Sequence, residues 1–211
     1  MRSTCFILAT LGLEKTSRSR LALFRRDAFD LSATGNDGAE LAEEFFSDRD
    51  NVLAAVTRSG FLLSYVDESL KRKKEVVMAA VKNDLKALEY ADASLKRDKD
   101  VFLAVVTQNG CALEDADESL RRDKDVVMAA VTQSGFALRY ADEILKRDKD
   151  VVLAAVVNYG MALEYADESL KRDKDVVLAA VTQRGRALQF ADESLRRDKD
   201  VVMAAVHQMT A

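Results

Sequence analysis

The chain has 211 residues, 48% of them hydrophobic and 32% charged, with no Pro and no Trp. That balance is the one of a soluble folded protein and excludes disorder as the general state of the chain. A net charge of −4 argues against affinity built on neutralising phosphates, since such domains carry a basic excess. No apolar run approaches the roughly 20 residues of a membrane-spanning helix.

Residues 1–25 hold a short apolar stretch, Cys5 to Leu13, followed by Lys15, Arg18, Arg20 and Arg25. They read either as a targeting-like segment or as a degenerate first helix. Glu14 and the lack of a small-residue cleavage site weigh against targeting. Residues 26–50 read as a diverged capping repeat, because Gly35 lies 25 positions before Gly60 and Leu41 to Asp50 is a worn copy of a second helix. Cys5 and Cys111 have no spacing of a disulfide framework or a zinc site. That places the chain in a reducing, intracellular and cytoplasmic setting, with organelle targeting by residues 1–25 as the alternative.

From residue 51 to 211 the chain repeats itself. Acidic residues recur every 25 positions at Glu75, Asp100, Asp125, Asp150, Asp175 and Asp200. Residues 151–175 and 176–200 agree at 18 of 25 positions. A fixed short period signals units that bury their apolar faces only by stacking. In the unit from Asp98 to Arg122, Asp98 is the expected N-cap and Asp100 favours the positive end of the helix dipole. Val101 to Val106 are apolar all round, so that helix is an inner layer. Gly110 is expected to end it in a left-handed conformation. Ala112, Leu113, Ala116 and Leu120 then form the stripe of a second, amphipathic helix. The predicted fold is all-α, an α-solenoid of about six 25-residue helix-turn-helix repeats closed by a half repeat. That half repeat, 201–211, leaves an apolar helix without its partner, which favours end-to-end self-association or a longer array.

The phrase Val151-Val152-Leu153-Ala154-Ala155-Val156, Gly160, Ala162-Leu163-Glu164-Tyr165-Ala166 and Leu170-Lys171-Arg172-Asp173 resembles the repeats of the domain of unknown function family 4116, over about residues 48–206. The resemblance implies a helical repeat array without an established activity. The pattern breaks at Lys73, which replaces a capping Asp, and at Leu85, which replaces the Gly. That hairpin is the expected place for a bend or local disorder. Asp115 stands where Tyr65, Tyr90, Tyr140, Tyr165 and Phe190 stand elsewhere, so an aromatic contact between units is lost there.

The Asp-Lys-Asp segments read as caps rather than as a calcium loop, because no third acidic ligand or turn Gly follows them. Asp117 with Arg121, Glu118 with Arg122, Asp167 with Lys171 and Glu168 with Arg172 have i,i+4 spacing and are expected to pair. Lys71/Arg72 and their equivalents through Arg196/Arg197 would align as a basic ridge. The only His is His207, and the Gly residues sit singly. No catalytic, metal or cofactor-binding set emerges, and the chain reads as a non-catalytic scaffold without cofactors. Units differ most on both sides of the turn, at Ser59, Phe61, Lys86, Asn109, Cys111, Phe136, Tyr159, Met161, Arg184 and Arg186. This edge is the candidate partner-binding surface, with a protein as the partner. Nucleic-acid binding through the ridge and an enzyme using unrecognised carboxylates are the alternatives.

Overall fold

The computed structural model describes residues 46–210, in which every regular element is helical. One long helix belongs to each repeat: α1 (Arg49–Arg58), α2 (Lys74–Asn83), α3 (Lys99–Val106), α4 (Lys124–Gln133), α5 (Lys149–Asn158), α6 (Lys174–Gln183) and α7 (Lys199–Thr210). The chain divides into two compact units, one ending at Leu95 and the other beginning at Lys96. In the first, α1 packs on α2. In the second, α3 to α7 pack each on the next. Each unit is thus a stack of repeats, the architecture of an all-α solenoid. The N-terminal segment 1–25 and nearly all of the cap read from 26–50 lie outside the described residues.

The capping expectation holds at α3, where the Asp98 carboxylate accepts from the backbone N–H of Asp100 and Val101. Asp123, Asp148 and Asp173 act in the same way on α4, α5 and α6. The long helices are the inner layer: Val126, Val127, Ala130 and Val131 of α4 are fully buried, as are their equivalents in α5 and α6. Burying one such Val contributes about 1.5–3 kcal/mol. Exposed ion pairs contribute about 0–1 kcal/mol. The apolar helices therefore dominate the stability of the stack.

The second half of the repeat is not the single amphipathic helix read from the sequence. It is a six-residue 3-10 helix, such as Gly110–Asp115, then two extended residues, Ala116 and Asp117, then a single helical turn, Glu118–Arg121. The break is caused by Asp117, whose carboxylate accepts from Ser119 N–H and starts a new turn. It also frees a backbone N–H to reach the neighbour. Asp142 donates its N–H to the Arg121 carbonyl at 3.1 Å, Asp167 to Lys146 at 3.0 Å and Asp192 to Lys171 at 3.0 Å. A continuous helix would spend that donor internally. In one repeat Ile144 replaces the usual Ser, and the last turn is there 3-10, Leu145–Arg147.

A second correction concerns the glycines among the described residues, which are not in the left-handed region. Space is what requires them. A Cβ on Gly135 would run into the main-chain oxygen of Ala155 and come within 2.8 Å of the Tyr159 Cβ, and Gly60 stands in the same relation to Ala80. The hairpin with Lys73 and Leu85 is not disordered. Lys73 gives no side-chain cap, yet α2 has the bounds of its relatives and buries Val76, Val77, Ala80 and Val81. The Asp84 carboxylate supplies a start to the following 3-10 helix by accepting from Lys86 N–H at 3.0 Å.

Replacing Gly135 by Ala is expected to lower unfolding stability by about 1–3 kcal/mol, because the obstacle is a backbone oxygen that cannot rotate away. Urea unfolding followed by circular dichroism checks this, with Ser134→Ala next to it expected to change little.

Candidate functional site

The turn edge lies where a long helix gives way to the 3-10 helix. Ser59, Asn109, Tyr159 and Arg184 are the extended residues at that junction, and Phe61, Lys86, Cys111, Phe136, Met161 and Arg186 are the second residues of the 3-10 helices. Phe61, Lys86, Asn109, Arg184 and Arg186 are exposed, whereas Ser59, Cys111, Phe136, Tyr159 and Met161 are half-buried. Several of them serve the stack. The Asn109 side chain accepts from Cys111 N–H at 3.1 Å, and Cys111 Sγ lies 3.6 Å from Ser134 Oγ.

Phe61 and Phe136 each join two tyrosines. The Phe61 ring meets Tyr65 edge-on with centroids 5.9 Å apart, and Tyr90 of the next repeat at 5.9 Å. Phe136 meets Tyr140 at 5.9 Å and Tyr165 at 5.7 Å. Phe46 extends the first cluster, 6.1 Å from Tyr65. The repeat with Cys111 and Asp115 supplies no ring, and Asp115 is exposed. The tyrosine stripe was legible as an inter-repeat contact. The linking role of the phenylalanines was missed, although Phe with Tyr four and 29 positions later, at 61, 65 and 90 and again at 136, 140 and 165, was its signal.

An amide clamp was also missed. Gly60 donates its N–H to Asn83 Oδ1 at 3.0 Å, Gly110 to Gln133 Oε1 at 2.7 Å, Gly135 to Asn158 Oδ1 at 2.7 Å, Gly160 to Gln183 Oε1 at 2.7 Å and Gly185 to Gln208 Oε1 at 2.6 Å. The other end of the same amide bonds a carbonyl of the preceding long helix's end, as from Gln133 to Gln108 and from Asn158 to Thr132. One side chain thus satisfies a donor and an acceptor that the close approach leaves behind. The recurrence of Asn or Gln at 83, 108, 133, 158, 183 and 208 was its trace.

The ion pairs differ from the expected i,i+4 set. Glu118 does pair with Arg122, at 2.7 Å. Arg121, however, donates to the carbonyls of Ala116 and Glu114, and Asp117 pairs with Arg97 of the preceding repeat at 3.2 Å. Asp167 likewise pairs with Arg147 at 3.0 Å rather than with Lys171, which takes Glu168 three positions back at 2.9 Å. The rule is lateral. Arg72, Arg122 and Arg172 hold Asp92, Asp142 and Asp192 of the following repeat at 3.1, 2.9 and 3.0 Å. Lys99, Lys149 and Lys174 each bridge both Asp residues of the next Asp-Lys-Asp segment at 2.6–3.0 Å. Five arginines of the ridge, Arg72, Arg97, Arg122, Arg147 and Arg172, are therefore paired with carboxylates within the stack. The side-chain and backbone bonds from Ser169, with Arg147 beside it, hold the Asp167 carboxyl down at about 2, and Ser194 and Arg172 do the same for Asp192.

The family described as Domain of unknown function (DUF4116) matches residues 48–96, 98–146, 148–196 and 173–209. The chain belongs to that family. Neither a curated protein nor a solved structure matches it. The first three DUF4116 matches each span about two 25-residue units, and the shorter last one starts 25 positions after the third (173 − 148), so the match slides by one unit. The physical unit of this DUF4116 array is the single clamp-to-clamp repeat. Among the described residues no group of three His, Cys, Asp or Glu side chains is disposed to hold a metal ion, and no helix is long and apolar enough to cross a membrane.

Replacing Gln133 by Ala is expected to cost about 1 kcal/mol and to accelerate amide exchange at Gly110 ahead of that at Gly135, as read by hydrogen-exchange NMR. The depressed Asp167 pKa gives a pH signature. A lowered folded pKa contributes stability above the unfolded value, about 3.9, and loses it as pH falls through about 2. Asp167→Asn is thus expected to be less stable than the parent at pH 7, with the gap closing between about pH 4 and pH 2, measured by urea unfolding at each pH.

Proposed function

We propose that the chain is a non-catalytic helical-repeat scaffold that binds a protein partner along its turn edge. What supports the reading is the contrast between framework and edge. Framework side chains are committed to the neighbouring repeat: the amides to the Gly N–H, the arginines and lysines to lateral carboxylates. Lys86, Arg184 and Arg186 have no such task, stand exposed and differ from their equivalents in other repeats. A constant frame with a varied, exposed edge is the arrangement repeat proteins use for recognition. The nucleic-acid alternative loses much of its support, because five arginines of the supposed ridge, Arg72, Arg97, Arg122, Arg147 and Arg172, already face Asp carboxylates at 2.9–3.2 Å.

The test is affinity capture from the source cell with the parent chain and a Lys86→Ser, Arg184→Ser, Arg186→Ser variant. These positions avoid the linking phenylalanines, so folding is expected to be preserved by circular dichroism while one or more partners are lost. An unchanged bound set removes the edge as the recognition surface.

A further inference from the structure

Two repeats carry the same arrangement of one Phe between two Tyr, to which the earlier adds Phe46 beside Tyr65, and among their differences is the residue before the first Tyr. In the later one, Phe136 meets Tyr140 at 5.9 Å with 78° between planes and Tyr165 at 5.7 Å and 88°. In the earlier one, Phe61 meets Tyr65 at 5.9 Å and 79° and Tyr90 at 5.9 Å and 83°. Over the later cluster lies a cation of the chain itself: the Arg139 guanidinium carbon is 5.9 Å from the Phe136 centroid and 5.9 Å from that of Tyr140. The residue 75 positions earlier, three repeats back, is Ser64. Its hydroxyl turns away to the Phe61 carbonyl at 2.9 Å.

The earlier rings are accordingly open. Phe61 is 42% and Tyr65 46% exposed, where Phe136 and Tyr140 are half-buried. The negative faces of aromatic rings attract cations, and a guanidinium is favoured over an ammonium because it is planar and sheds water more readily. We propose that Phe61, Tyr65 and Tyr90 form a binding site for an arginine side chain presented by a protein partner, in the place that Arg139 fills in its own repeat. The site rests on the turn-edge reading and gives the partner one chemical feature, an exposed arginine. The chain's net charge of −4 suits a partner surface of positive charge. One arginine over two rings binds weakly, so the site acts as one contact among several along the edge.

The test uses the full 211-residue chain with its Phe and Tyr rings observed by carbon–proton NMR. The probes are acetyl-Gly-Arg-Gly-amide and the same peptide with citrulline, which keeps the shape and loses the charge. With the arginine peptide at concentrations on the order of 10 mM, the Phe61 and Tyr65 ring signals are expected to move. The citrulline peptide is expected to act about fivefold more weakly or less. Ser64→Arg is expected to abolish the response and to give proton contacts between its new side chain and the Phe61 and Tyr65 rings. Phe61→Leu, which keeps an apolar side chain there, is expected to abolish the response at Tyr65.

Equal responses to both peptides, or none at these rings, overturn the proposal. So does an arginine from residues 1–45 found over Phe61 in the peptide-free protein. A null titration beside intact edge-dependent capture removes this site alone, whereas loss of edge dependence in capture removes the wider reading.

Discussion

Where Gly begins the 3-10 helix, consecutive repeats are held at a separation that only a hydrogen side chain allows. Gly60, Gly110, Gly135, Gly160 and Gly185 each face the main-chain oxygen of the Ala 20 positions on, with no room for a Cβ. At that distance the Gly N–H and the neighbouring helix's last carbonyls would be buried without water, which is why an Asn or Gln amide spans them. The rest of the stack follows from this spacing. It brings the rings of Phe136 and Tyr165 together across repeats, and it sets Arg122 within reach of Asp142.

The sequence was most readable where the physics is local. The N-caps at Asp98, Asp123, Asp148 and Asp173 and the buried Val pairs of the long helices follow from position within one helix, and they stand where expected. It was least readable where two repeats meet. The stripe Ala112, Leu113, Ala116 and Leu120 has helical spacing, yet Asp117 breaks the helix so that the same position in the next repeats can donate a backbone N–H sideways. That exchange is invisible to a period of 3.6 within one unit. Gly was read through its conformational freedom when its lack of volume was what mattered. Asp117 and Arg121 have the spacing of a pair, but a better-placed arginine, Arg97, arrives from the preceding repeat.

The same distinction separates framework from candidate site. The ten edge residues were singled out because they vary, and variation does not tell a free side chain from one whose neighbour has changed with it. Asn109 and Phe136 proved to have structural contacts, whereas Lys86, Arg184 and Arg186 stand exposed. The DUF4116 repeat is thus a frame in which lateral Arg–Asp and Lys–Asp pairs tie neighbours together, while Lys86, Arg184 and Arg186 stand exposed outside that network.

The carboxylates of the Asp-Lys-Asp segments divide their two oxygens. In Asp173, Oδ1 accepts the first N–H groups of α6, and Oδ2 receives Lys149 from the repeat before. The atom pair that begins one helix is therefore also the anchor of the previous repeat. The cap bonds are local to the start of α6, whereas the Lys149 bond exists only while both repeats are folded. Within each compact unit this ties helix initiation to docking and raises the penalty for a boundary between a folded and an unfolded repeat. Each repeat that folds thus presents a carboxylate already oriented for the lysine of the repeat before it.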